Sequence, residues 1–147
     1  MQRRILVSLL AATGVTIAAA CGDTTSPIPD GGAVVTFAFS ASDDTLDVLV
    51  LDPETIAQAE QRVATGLGPR MPIGPIVRGA GIDPQYPFHY IESDVRLADL
   101  AAEVCDGRPM RTPAEVDAFF ELSTGNRNAA RATWCPWGAT PIRVRRR

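Results

Sequence analysis

The chain has 147 residues, 46% of them apolar, with 14 arginines, no lysine, 17 acidic side chains, three cysteines, one histidine and a net charge of −3. An acidic chain of this kind is a poor match for nucleic acid, whose affinity is dominated by phosphate neutralisation. The length allows one domain behind a processed leader, and no internal repeat is visible.

The leader comes first. Arg3 and Arg4 precede an uncharged run from Ile5 to Ala20, 16 residues long, which ends in small residues at Cys21. This is the pattern of a secretory signal. The run is shorter than the roughly 20 residues that span a bilayer as a helix, so a permanent transmembrane anchor is not expected. The "AAAC" at 18–21 resembles the lipobox of bacterial lipoprotein precursors. That resemblance implies a diacylglyceryl group on the Cys21 thiol, cleavage just before it, and attachment to the cytoplasmic or outer membrane, facing away from the cytoplasm. Ordinary cleavage after Ala20, leaving a soluble exported protein, is the alternative. Residues 1–20 are thus assigned as signal peptide and 21–32, "CGDTTSPIPDGG", as a flexible tether with no apolar face to bury. As a coil, the tether would reach roughly 15 to 20 Å.

The folded part is expected over 33–147. Val35, Phe37 and Phe39 alternate, as do Leu46, Val48 and Val50 after a polar "SDD", which predicts a hairpin. Asp52 and Pro53 then read as the cap and first position of a helix whose apolar face is Ile56, Ala59, Val63 and Leu67, with Gly66 as its stop. Residues 68–87 are rich in proline and glycine and read as turns around one short strand, "PIVRG". Residues 88–105 begin like a strand, but Leu97, Leu100, Ala101 and Val104 also fit a helix, so the second half stays open. At 112–125, Thr112 and Glu115 form a capping box, Pro113 takes the first turn, Val116, Phe119 and Phe120 make the buried face, and Gly125 ends it. A strand at 140–144 leads into a basic tail, "RVRRR" at 143–147, read as solvated and disordered or as a contact for anionic lipid or polyanion. The order of elements predicts an α+β fold, a largely antiparallel sheet with two helices packed on it.

Five segments, "FAFSASDD", "LDPETIAQAE", "YPFHYIESDV", "AAEVCDGRP" and "WCPW", resemble a family of small secreted domains similar to the N-terminal domain of a eukaryotic calmodulin-binding protein. The similarity runs from about Val35 to Val144. It implies a secreted domain with one cysteine pair, and a strand just before Cys105. It implies no activity, and no basic amphipathic helix of the calmodulin-target kind is present. The carboxylates of "DDTLD" at 43–47 lack the loop spacing, central glycine and distal glutamate of a calcium-binding EF-hand.

Once lipidation occupies Cys21, two cysteines remain, and in an oxidising compartment Cys105 and Cys135 most simply pair. Redox chemistry at Cys135 would need a resolving cysteine where "WCPW" has tryptophan, and zinc would need more ligands than two cysteines and His89 supply. No metal or cofactor is therefore expected. Trp134 and Trp137 are candidates either for packing on the sulfurs or for anchoring a partner, and His89 for a strand-edge hydrogen bond or a binding role. The leading expectation is a lipid-anchored, non-enzymatic binding module of unassigned partner that uses the tryptophan turn. The alternatives are a small hydrolase using His89 with a carboxylate, with Ser93 and Asp94 within reach of recruitment, or an enzyme inhibitor that inserts the 68–87 loop.

Overall fold

The computed structural model describes residues 28–147 apart from Ala102, so the signal segment, Cys21 and most of the tether lie outside the described residues. Strands β1 (Ala33–Phe39) and β2 (Thr45–Val50) form the expected hairpin, and β7 (Ala139–Arg146) pairs with the other edge of β1 to give a sheet of order β2-β1-β7. A second sheet centres on β3 (Met71–Arg78), with which β4 (Phe88–Tyr90), β5 (Arg96–Ala98) and β6 (Ala132–Trp134) all pair antiparallel. Helices α1 (Pro53–Thr65) and α2 (Pro113–Thr124) complete the α+β fold. All strand pairing is antiparallel, divided between two sheets rather than one.

Both helices start and stop where their local chemistry dictates. Asp52 accepts the Thr55 amide at 2.8 Å, satisfying one of the first-turn N–H groups that have no partner inside the helix. In α2 the Thr112 hydroxyl accepts from the Glu115 amide, while the Glu115 carboxylate accepts from the Thr112 amide at 2.9 Å. Gly66 and Gly125 close α1 and α2 in the left-handed conformation, where a side chain would be strained. The apolar face of α1 is shorter than expected: Ile56 and Ala59 are buried, but Val63 is exposed, as is Leu67, which lies beyond the Gly66 cap.

Larger departures occur where pairing is long-range. The proline-rich stretch forms the central strand of the second sheet, and Pro72 and Pro75 sit within it. Proline gives up an N–H but keeps its carbonyl, and that of Pro75 accepts from Ile91 at 2.9 Å. Gly74 beside it allows close approach of the neighbouring backbone, since a Cβ there would lie 3.0 Å from the Asp94 carbonyl oxygen. Of the 68–87 segment on which the inhibitor reading rests, 71–78 is sheet and Tyr86 is fully buried and donates to the Thr45 carbonyl at 2.9 Å, while residues 78–81 are exposed.

The open segment 88–105 resolves as strand, turn and strand, ending in a 3-10 turn at Glu103–Cys105. The strand implied just before Cys105 lies further upstream, at β5. The basic tail is also corrected. It continues β7 opposite β1, with Ala33 facing Arg146 and Thr36 facing Arg143, and Ile142 is the extra residue of a bulge beside Pro141. The core joins both sheets and both helices around Phe37, Ile56, Phe88, Phe120 and Trp134. Among the described residues no helix is long and apolar enough to cross a membrane.

Candidate functional site

The two tryptophans flank a closed bridge. Cys105, on the 3-10 turn, is disulfide-bonded to Cys135, just after β6, with Cα atoms 5.2 Å apart, and the Cys135 amide donates to the Cys105 carbonyl at 2.8 Å. Both cysteines are buried in a small satellite cluster with Met71, against which Ile73, Ala98 and Ala101 pack. Pairing of β6 with β3 directs Trp134 into the main core, where it is 0% exposed. Its ring meets Phe88 edge-on at 5.0 Å and stacks on Tyr90 at 5.6 Å between centroids, and its indole N–H donates to the Gly107 carbonyl at 3.2 Å. Burial also pushes the Tyr90 phenol well above its ordinary pKa, so Tyr90 serves as a neutral hydroxyl. Trp134 is thus a core residue and not a binding candidate.

Trp137 differs. It lies in the turn closed by the Ala139 amide donating to the Pro136 carbonyl at 2.9 Å, and its own amide donates to the Asp106 carboxylate at 2.9 Å. It is 39% exposed, and with Arg70, Met71, Asp99 and Leu100 it frames a small depression of about 30 Å³. Leu100, which periodicity placed on a buried helix face, is 87% exposed on the rim of this depression. Leu100 entered the sequence reading only through its helical spacing with Leu97, Ala101 and Val104, and its burial could not be judged without knowing that no helix forms there.

His89 is remote from this turn. It alternates with buried Phe88 and Tyr90 along β4, and its Nδ1 lies 2.8 Å from the Gly79 carbonyl oxygen. The cleft beside it, which Asp47, Asp83 and Glu92 also line, has a volume of about 20 Å³, space for about one water molecule. Ser93 donates to Asp94 at 2.9 Å. Asp83 is instead structural, accepting the amides of Asp47 and Gln85 at 3.1 Å and tying β2 to the loop before β4. The acidic hairpin is also occupied: Asp44 pairs with Arg111, and Asp47 accepts from Thr36 and Arg145. Among the described residues no group of three or more His, Cys, Asp or Glu side chains is placed to hold a metal ion.

A second concavity, of about 410 Å³ between α2 and the loop before β4, had no counterpart in the sequence pattern. Two arginines border it. Arg78 lies over the Phe120 ring at 4.0 Å and pairs with Asp117 at 2.9 Å, while Arg111 lies over the Tyr86 ring at 4.8 Å and pairs with Asp44. The Arg111 hydrogen bond, followed by that from Ser42, holds the Asp44 carboxyl below its ordinary range, and the Arg78 hydrogen bond does the same for Asp117. Arg111 pairs with Asp44, whereas Asp117 serves Arg127 at 3.2 Å as well as Arg78, so the groove presents largely paired charges over apolar walls.

A family model described as the BP-74 N-terminal domain matches residues 33–147. The chain belongs to the BP-74 N-terminal domain family. The match covers the whole folded part, and its first residue is the first residue of β1. No curated protein and no solved structure matched the chain. In this member of the family, the bridge, the buried Trp134 and the exposed Trp137 make the tryptophan turn a covalently held corner with one of its two tryptophans partly open to solvent.

Proposed function

We propose that this domain is a lipid-anchored interaction module, held outside the cytoplasmic membrane through Cys21, that works by binding and not by catalysis. The observation that carries the reading is the adjacency of Trp137 and Leu100 at a corner fixed by the Cys105–Cys135 bond. Trp137 and Arg70 are of the residue types enriched in protein-binding hot spots, and Leu100 adds exposed apolar surface beside them. Because the bridge holds the corner, little loop freedom is lost on docking. The binding reading is also favoured at His89, whose ring nitrogen is engaged by a backbone carbonyl beside a cleft with room for about one water molecule.

Two measurements test the proposal. Intact mass of the chain from its native membrane should show acyl groups on Cys21. Crosslinking in the native envelope should capture a defined protein with the wild type, and that capture should fall at least about tenfold with Trp137→Ala or Leu100→Ala, the loss expected of a hot-spot anchor. Capture unchanged by both substitutions would remove this corner as the binding surface.

A further inference from the structure

Four of the chain's arginines, Arg143, Arg145, Arg146 and Arg147, fall within five residues, and their side chains lie at the surface. Three points bear on what they do. The first is position. Arg146 faces Ala33 across the β1–β7 ladder, and Arg147 pairs with Asp30 at 3.1 Å, so these arginines lie where the tether meets the domain. The Trp137 corner is at the other end of the same ladder, where Phe39 faces Ala139, roughly 20 Å away along β1.

The second point is shape. As part of β7 the arginines are held in place: Arg145 reaches across to Asp47 at 2.7 Å, and Arg143 donates to the Thr36 hydroxyl at 3.3 Å. Both partners are side chains of the central and neighbouring strands, so the two arginines lie across one face of the sheet. Val34, fully buried though outside the main core, is the β1 residue opposite Arg145. Arg143 has a hydroxyl and no carboxylate as its partner, and of the carboxylates that the other arginines engage Asp47 and Glu60 are partly exposed and Asp30 almost wholly so, so these pairs are weak and open to exchange.

The third point is charge distribution. From Cys21 onward the chain has 12 arginines against 17 acidic residues, but without the four terminal arginines the balance is 8 against 17. A body of that charge is repelled by an anionic bilayer over most of its surface, and this end is the exception.

We infer that the arginine-bearing end of β7 rests on anionic phospholipid headgroups beside the anchor, which stands the domain on that end and turns the Trp137 corner away from the membrane. The inference rests on the anchored reading proposed above. Since electrostatic attraction extends only about one Debye length, some 8 Å at physiological salt, the arginines must be brought close to the bilayer, and the pairing with Ala33 and Asp30 puts them at the domain end of a tether whose reach is roughly 15 to 20 Å.

The test is residue-resolved dicarbonyl labelling of arginine on the full anchored chain, in vesicles of phosphatidylcholine alone and of phosphatidylcholine with phosphatidylglycerol. Labelling of Arg143 and Arg145 should fall about fivefold in the anionic vesicles and recover at high salt, while Arg70 at the Trp137 corner stays unchanged. Equal labelling of Arg143 in the two vesicles overturns the inference, as does protection of Arg70 along with it. So does stronger protection by a soluble polyanion over phosphatidylcholine vesicles than by the anionic vesicles themselves. An unacylated Cys21 by intact mass overturns the anchor reading separately, and the unanchored chain on the same vesicles still reports on the arginine surface.

Discussion

Trp134 and Trp137 are separated by two residues, yet they belong to different regions. Trp134 is in the main core, where Phe39, Phe88 and Tyr90 surround it and both sheets and both helices contribute. Trp137 borders the satellite cluster of Met71, Cys105 and Cys135, which has little apolar mass of its own. The main core is held by burial over many side chains. The satellite is held by one covalent bond and a few backbone hydrogen bonds, so its order depends on the bridge more than on packing. A corner built this way can expose an aromatic ring without loss to the rest of the domain.

The largest effect should come from the ring that the main core closes around. Trp134→Ala leaves a cavity bordered by three rings and a Gly107 carbonyl without its indole donor, and should cost about 3–5 kcal/mol in urea unfolding. A cost under about 1 kcal/mol would mean the core does not close on that ring. Next is Cys105→Ser with Cys135→Ser. Opening a loop with a sequence separation of 30 should cost about 3–4 kcal/mol on the chain-entropy account. The comparison between regions is sharpened by where the loss appears. Hydrogen exchange should rise at Glu103–Trp137 while β1 and β7 keep their ranking, and uniform loosening would merge the two regions into one cooperative unit.

How much of this could be read beforehand depends on distance along the chain. The caps of α1 and α2 were legible because donor and acceptor are three residues apart, as Thr112 and Glu115 are. The β1–β2 hairpin was legible because its alternation is local. The cysteine pair followed from counting and compartment. Three features were not legible. One is the first half of β3, residues 71–74: the short strand read at "PIVRG" coincides with its second half, but Pro72 locally suggests a turn and yet pairs with Leu97 of β5. Another is the ordered run of arginines, whose partners Asp47, Glu60 and Asp30 lie 86 to 117 residues away. The third is the difference between the two tryptophans, which arises only when β6 pairs with β3 and the chain turns at Pro136. For the candidate site, the residue pattern pointed to the right turn but not to which of its two rings faces solvent.

Acid should also discriminate between regions, with a smaller effect. Asp44 and Asp117 border the main core, and both carboxyls are held below 3.8 by their arginine partners. A carboxyl lowered in the folded state adds stability that is complete above its unfolded pKa and is lost as pH falls through the folded one. Wild-type stability should therefore begin to fall below 4.5, through Glu60 and Glu115, and fall further below 3.8, and Arg111→Gln should make the part below 3.8 shallower, as read from urea midpoints against pH. If the limb keeps its slope in Arg111→Gln, the Arg111–Asp44 pair is not what makes the domain acid-sensitive.

The smallest effect on stability should belong to Trp137→Ala. The backbone amide that Asp106 accepts from is retained in the alanine variant, and the indole leaves a surface it only partly covered, so the change should stay within about 0.5 kcal/mol. Set beside the loss at Trp134, this is the sharpest form of the comparison, because the two substitutions delete the same side chain on either side of Cys135 and Pro136. A cost at Trp137 approaching that at Trp134 would show that the exposed ring supports the satellite, and the corner would then be read as structure. A negligible cost combined with lost capture of the partner would mean that the ring is kept for what it touches outside the domain.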